Sequence, residues 1–412
     1  MAFSDFAYII EGVVKIFRNF ASMLPKVCFV TTTRADWGLL MPLARSLRDS
    51  RRVQVGIIAG NMHLLPEYGM TVNEITDAGF CVDARVPLVL DDDSECARAR
   101  AMGAFTAGIA DALEQLRPDA AVMLGDRYEM LAAASAAAVM HIPVIHIAGG
   151  EISEGAVDDS FRHAITKLSS LHLTATDDYR RRVIQMGEQP DRVVNTGAIG
   201  VWNAMNIDPL PVSTLEEYLG MDLRHSPTLL VTYHPATNDT SASPADKLRE
   251  LFKALDRFGG CNIVITHPNN DAGGLGLLPL IEDYAAAHAD RVRSVASLGM
   301  LRYQSLLRIV KAVVGNSSSG IVEAPSAGAP TVDIGIRQRG RLAGPSVIHC
   351  ADDADSIAEA IAEALSDRMQ LVASRRENPY FRPDTLGLMT DAVLGFVENM
   401  PGDVLTKKFH DL

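Results

Sequence analysis

The 412-residue chain has little of what marks a secreted, membrane-spanning or nucleic-acid-binding protein. Its five cysteines, Cys28, Cys81, Cys96, Cys261 and Cys350, are scattered singly, with no CxxC pair. An odd, dispersed set argues against a disulfide framework and suits reduced thiols in the cytoplasm. No run reaches the roughly 18 consecutive apolar residues of a membrane span. Over residues 1–22, Glu11, Lys15 and Arg18 interrupt the apolar residues at helical spacing, and no small-residue cleavage site follows. A signal peptide is therefore not expected. The segment reads as an amphipathic, dispensable extension ahead of a domain that begins near Met23. Positive charge is also short: 38 Lys and Arg against 51 Asp and Glu leave a net charge of −13. No basic footprint for nucleic acid results, although one cleft can still bind an anion.

What is present is an ordinary globular composition, 48% apolar and 22% charged. The length suits two or three domains. From Lys26 onward, short β-branched runs alternate with helical segments. Strands are expected at 27–31, 53–59, 120–124, 143–148, 171–174 and 193–196, with helices between them, for example over 39–47 and 129–140. This alternation predicts right-handed βαβ units and a parallel sheet. Around 206–211 a proline-containing linker intervenes. A second series follows, with strands at 228–232, 262–266, 291–295, 312–314 and 331–334. The fold class is therefore α/β, with two doubly wound Rossmann-like domains and an interdomain cleft. The first domain covers 24–205 and the second 206–384. The last helix, from 385, is expected to cross back and complete the first domain. Ligands of such sheets bind beyond the carboxyl ends of the strands.

The loops at those ends hold the polar residues. Thr32 to Gly38, with Arg34, opens a helix after the first strand and suits a phosphate or carboxylate. It is not a GxGxxG fingerprint, so a nicotinamide cofactor has no support. Asp126 and Arg127 follow the strand ending at Leu124. Glu151, Asp158, Asp159 and His163 follow the strand ending at 148. Carboxylates from adjoining strand ends that converge on one cleft have split pKa values and divide acid and base roles. Asp158 or Asp159 capping a helix is the plainer reading. A metal held by His146, Glu151, Asp159 and His163 is the rival one, but no HExxH-like signature supports it. In the second series, His234 and the stretch His267 to Asp271, with Asn270 and Asp271, occupy equivalent strand ends. Ser317, Ser318, Ser319 and Gly320 form a small-residue turn suited to phosphate oxygens. Glu323 lies one turn further on, where it can accept ribose hydroxyls, and Arg337 and Arg341 can neutralise a diphosphate.

The stretches TTRADWGLL, LGDRYEML, HIAGGEISEGAVDDSFRHAITKLS, TYHPAT, HPNNDAG, GNSSSGIVEAPS and DIGIRQRGR occur in one order from Lys26 to His349. In these motifs the chain resembles the UDP-N-acetylglucosamine 2-epimerases, and more closely the hydrolysing branch that feeds sialic and legionaminic acid synthesis. The resemblance implies a glycosyltransferase-B-like pair of domains with the substrate, a UDP-sugar, between them and no cofactor. It also implies a homodimer or homotetramer with no nucleic-acid or membrane partner. By the same resemblance, Arg34 and His234 contact the phosphates, Ser317 and Ser318 the diphosphate and Glu323 the ribose. Arg337 falls on a nucleotide-site arginine, and Asp126 and Asp158 are carboxylates near the sugar. In HIAGGE, Ala148 carries no acid–base group, so that work passes to Glu151 or a neighbouring aspartate. A 2,4-diacetamido-trideoxy sugar on UDP or GDP is accordingly an alternative substrate, and a glycosyltransferase of the same fold an alternative activity. The implied reaction is C2 proton abstraction, loss of UDP to give a glucal, and hydration to free N-acetylmannosamine.

Overall fold

The computed structural model describes residues 24–92, 94–269 and 273–411. The expected extension over residues 1–22, and Asn270 and Asp271, lie outside the described residues. One sheet contains β1 (Lys26–Thr31), β2 (Gln54–Gly60), β3 (Ala84–Val86), β4 (Ala120–Leu124), β5 (Val144–Ile147), β6 (Leu171–Thr174) and β7 (Val193–Asn195). The other contains β8 (Thr228–Thr232), β9 (Asn262–Thr266), β10 (Val292–Val295), β11 (Ala312–Gly315), β12 (Thr331–Ile334) and β13 (Val347–Cys350). The first sheet runs in the order β3-β2-β1-β4-β5-β6-β7 and the second β10-β9-β8-β11-β12-β13. Both are parallel throughout. Strand order reverses between β1 and β4 and between β8 and β11. Crevices for ligands open beyond the carboxyl ends of the strands at such points.

The central strands are apolar because helices cover both faces of each sheet. Val27, Phe29, Val122 and Ile145 point into one core of the first sheet, and Cys28, Val30, Ala121 and Met123 into the other. Two strands had no counterpart in the sequence reading, β3 and β13. Both are edge strands, β3 only three residues long with Arg85 exposed, and β13 half-buried along most of its length. Neither has the continuous apolar run that a doubly covered strand needs.

The helices that matter here are α1 (Arg34–Ser50), α2 (Tyr128–Val139), α3 (Asp158–Leu168), α4 (Asp177–Gln185), α5 (Ile199–Asn206), α6 (Gly299–Leu307), α7 (Ser318–Val322) and α8 (Thr385–Glu398). α1 starts at a capping box: Thr33 Oγ1 accepts from the Asp36 amide, and Asp36 accepts from the Thr33 amide. Such a box satisfies two amides that a helix start leaves open. α8 belongs to the first sheet's core. Its Met389, Val393, Leu394 and Val397 pack with Leu40, Leu43 and Leu47 of α1. The chain therefore passes between the two sheets twice, after α5 and again before α8.

The two halves touch through loops at the strand ends. The Glu154 amide donates to the Arg339 carbonyl at 3.1 Å, and the Asn238 amide to the Gly155 carbonyl at 3.1 Å. The Val157 amide donates to Thr237 Oγ1 at 3.0 Å. Two glycines permit this approach. A Cβ on Gly155 would overlap the Ile336 carbonyl, and one on Gly340 would overlap the Ile152 side chain.

Candidate active site

Two adjoining cavities fill the cleft at the strand-order reversals. The first, of about 200 Å³, is lined mainly from the second half: His234, Tyr303, Gln304, Ser317, Ser318, Ser319, Glu323 and Arg337, with Arg34 from the first. The second, of about 160 Å³, receives Asp126, Arg127, Ser153 and Asp158 from the first half and Gln338 and Arg341 from the second. Ala35, Leu39, Asn269, Ser318 and Arg337 line both. The site is thus one cleft with arginines along its length, a hydroxyl-rich end and an end that also carries Asp126 and Asp158.

At the first end, the turn after β11 is set by Gly315, whose φ of 139° and contact with the Thr232 carbonyl leave no room for a Cβ. Asn316 then ties two strand ends together. Its Oδ1 accepts from the His234 amide at 2.7 Å, and its Nδ2 donates to the His234 carbonyl at 2.8 Å. Its own carbonyl accepts from Arg337 Nη1 at 3.1 Å and Gln338 Nε2 at 2.9 Å. Ser317 and Ser319 stand 3.1 Å apart through their hydroxyls, beside the hydroxyl of Tyr303. Arg34 donates from Nη2 to the His267 carbonyl at 3.1 Å, and its Nη1 is buried with no partner among the described residues. A buried donor without a partner is costly unless an anion arrives to use it. Gly320 does not line the cleft. It packs on β12, where a Cβ would come 2.8 Å from the Thr331 methyl.

Glu323 is enclosed by α5 and α6. Burial pushes its carboxyl up to about 7, against the opposing hydrogen bond from the Gln304 amide. Gly200 of α5 leaves it that space, since a Cβ there would lie 2.8 Å from Glu323 Cγ.

The carboxylate end is organised by Arg162, which is 1% exposed. Its guanidinium pairs with Asp126, with Asp159 Oδ1 at 2.9 Å and with Ser153 Oγ at 2.8 Å, and it donates to the Glu151 carbonyl at 2.9 Å. Burial alone would raise the Asp126 carboxyl, but Arg162, Arg341 and Arg337 outweigh it and hold the group below its ordinary value. Asp126 is therefore ionised at neutral pH. His146 fixes the turn that carries it, donating from Nε2 to the Gly125 carbonyl at 2.8 Å. Burial keeps His146 at about 3, so the imidazole is neutral and that nitrogen carries the proton. Asp158 is the first residue of α3, after an N-cap at Val157 that has no side-chain bond, and lines the second cavity.

Three expected acid–base residues stand behind this surface. Glu151 is buried and pairs with Arg341 across the cleft, so it meets the cavity only through that arginine. Burial would raise the Asp159 carboxyl, but His163, the Ser153 amide at 2.7 Å and Arg162 outweigh it and hold the group at about 2. His163 lies 3.5 Å from Asp159 and lines neither cavity. Among the described residues, no group of three His, Cys, Asp or Glu is arranged to hold a metal ion.

The sequence reading did not single out Arg162 as the hub. A signal was available: Arg162 lies three and four residues beyond Asp159 and Asp158, on one helix face. Tyr303, Gln304, Gln338 and Ser153 were also missed, because single polar residues on loops and helices form no motif.

A family model for UDP-N-acetylglucosamine 2-epimerase matches residues 45–394, most of the chain. The chain belongs to that family. Among its relatives is the GDP/UDP-N,N′-diacetylbacillosamine 2-epimerase (hydrolyzing) of Campylobacter jejuni, 38% identical over 78% of this chain and 83% of that one. Another is the UDP-N,N′-diacetylbacillosamine 2-epimerase (hydrolyzing) of Legionella pneumophila, 35% identical over 84% of this chain and 90% of that one. The S. aureus MnaA–UDP co-structure shares the fold, with a TM-score of 0.74, 15% identity and coverage of 94% and 100%. The epimerase-family architecture, two parallel-sheet α/β domains around a cleft, is the one expected from the strand and helix alternation.

Proposed function

We propose that this chain is a hydrolysing 2-epimerase of a nucleoside-diphosphate 2-acetamido sugar. The observation that carries the proposal is the polarity of the cleft. Arg34, the serine turn and Glu323 line one cavity, Asp126 and Asp158 line the adjoining one with Arg127 and Arg341, and Arg337 lines both. A diphosphate held by Arg34, His234, Ser317, Ser318 and Arg337 puts the sugar against Asp126 and Asp158. Asp126, ionised by its arginines, removes the C2 proton. The C1–O bond breaks as Arg34, Arg337 and the serines take up the charge of the leaving diphosphate. The C1–C2 double bond of a glucal results. Water then adds at C1 while a proton returns to C2 on the opposite face, giving a free manno-configured sugar and the nucleoside diphosphate. General acid–base assistance contributes roughly 10²–10⁴-fold.

For the substrate, we favour a nucleotide-linked N,N′-diacetylbacillosamine. Two relatives at 38% and 35% identity carry that name. UDP-N-acetylglucosamine is the second reading, favoured by the description of the matching family model.

The test offers the enzyme UDP- and GDP-diacetylbacillosamine and UDP-N-acetylglucosamine separately, without an acceptor. Released diphosphate and free sugar are followed in D₂O and in ¹⁸O-water. Free manno sugar with deuterium at C2 and ¹⁸O at C1, beside unlabelled diphosphate, supports the reading. Accumulation of a nucleotide-linked manno sugar alone would place the chain among reversible epimerases. Label in the diphosphate would mean attack at phosphorus.

A further inference from the structure

The C-terminal segment after α8 takes no part in lining the cleft. It returns to the first half and lies along the far end of α3. The Gln189 amide side chain donates to the Lys408 carbonyl at 3.1 Å, and the His410 amide to the Gly187 carbonyl at 2.9 Å. Gly187, at a φ of 90°, receives the Phe409 ring where any Cβ would collide with it. Lys407 is held most tightly. Its Nζ donates to the Lys167 carbonyl at 2.8 Å and lies 3.5 Å from the Thr166 carbonyl, so it caps α3. It also pairs at 2.7 Å with Glu188, a carboxylate 3% exposed that holds Lys167 at 2.6 Å and His172 Nε2 at 3.0 Å. A cation at a helix C-terminus satisfies open carbonyls and complements the dipole.

From that cap, contacts continue to the carboxylate end of the cleft. Thr166 Oγ1 lies 3.3 Å from His146 Nδ1, and His146 Nε2 holds the Gly125 carbonyl beside Asp126. The other end of α3 supplies Asp158 and the Arg162 guanidinium that grips Asp126. We infer that Lys407 is a positioning residue, a C-terminal strap that fixes α3 and through it the placement of Asp126 and Arg162. The inference rests on the proposed epimerase reading only for its effect on turnover. Its structural part stands alone. A side chain displaced by a fraction of an ångström at a proton-transfer site loses rate without losing nucleotide affinity.

The experiment compares the full-length protein with Lys407→Met and Lys407→Arg. Amide hydrogen exchange, read on peptides covering 122–127 and 158–168, does not depend on any substrate. Lys407→Met should speed exchange there at least tenfold, leave the peptides of the second half unchanged, and be reversed by Lys407→Arg. With substrate, kcat should fall about tenfold while KM and UDP affinity stay within twofold. Unchanged exchange in those peptides overturns the positioning role, whatever the reaction proves to be. Altered exchange with unchanged kcat also overturns it, since the strap would then steady the fold alone. An inactive native protein with the expected exchange pattern would instead count against the epimerase reading and leave the strap standing. If Lys407→Met is insoluble, Phe409→Ala loosens the same segment and is read in the same way.

Discussion

Two carboxylates in this cleft are pushed in opposite directions, and the proposed reading gives them separate work. Asp126 faces three arginines and stays ionised, whereas Glu323 has only an amide against its burial and titrates near 7. Asp126→Asn should lower turnover at least about a hundredfold and leave UDP affinity within a few-fold, because it removes the proposed base and no group proposed to hold the diphosphate. Steady-state kinetics and calorimetry on the one variant separate these. Glu323→Ala and Arg337→Ala should instead weaken UDP binding by about 1–3 kcal/mol, the scale for a charged hydrogen bond. Glu323 also has a pH signature. Unfolded, its carboxyl loses a proton near the ordinary 4.5, and folded, near 7. Between those values the folded chain holds the extra proton, so its stability falls as pH rises from about 4.5 to 7 and is level beyond. Glu323→Gln abolishes that slope. Its stability relative to the native protein should therefore increase from pH 5 to pH 8, by an amount on the order of 3 kcal/mol, read by denaturant unfolding. The motifs pointed to both residues, because each follows a strand that reads clearly in the sequence. The sequence could not reveal that Arg162 and its neighbouring arginines keep Asp126 ionised or that burial between α5 and α6 raises Glu323, since both environments form only when separate elements pack.

The same limit applies to elements. Strands covered on both faces, such as β4, β8, β9 and β12, have the bounds expected from their apolar runs. Edge strands β3 and β13 do not, because a half-covered strand needs no such run. The loop over 151–157 is a further case. Its polar residues marked it as part of a site, but nothing local indicated that Gly155 and Gly340 let it meet the loop over 336–341. Gly155→Ala places a methyl against the Ile336 carbonyl, which as backbone cannot move aside. The variant should fold, bind UDP with near-native affinity and lose at least about tenfold in kcat. Activity at saturating substrate, with calorimetry for UDP, checks this. Loss of UDP affinity without loss of kcat would mean that the loop serves nucleotide capture.

For the molecule as a whole, the proposed reading divides the substrate between the two halves, and a ligand so bound is thermodynamically linked to the fold. UDP at about a hundred times its dissociation constant should contribute about 2.7 kcal/mol to stability, visible as a rise in melting temperature. That rise should persist in Asp126→Asn and shrink in Glu323→Ala at the same UDP concentration, where losing about 1–3 kcal/mol of affinity leaves roughly 0.3–1.8 kcal/mol of stabilisation. The route of the chain has a mechanical consequence. Residues 207–211 lead out of the first half, and residues 375–384 lead back to it. They are anchored by Arg308 on the Ile207 carbonyl at 2.8 Å and by the Tyr380 carbonyl on the Ala198 amide at 3.1 Å. A single tether would let one half swivel about any line. Two tethers, like the two pins of a door, leave one easy axis, so any relative movement of the halves is confined to one arc.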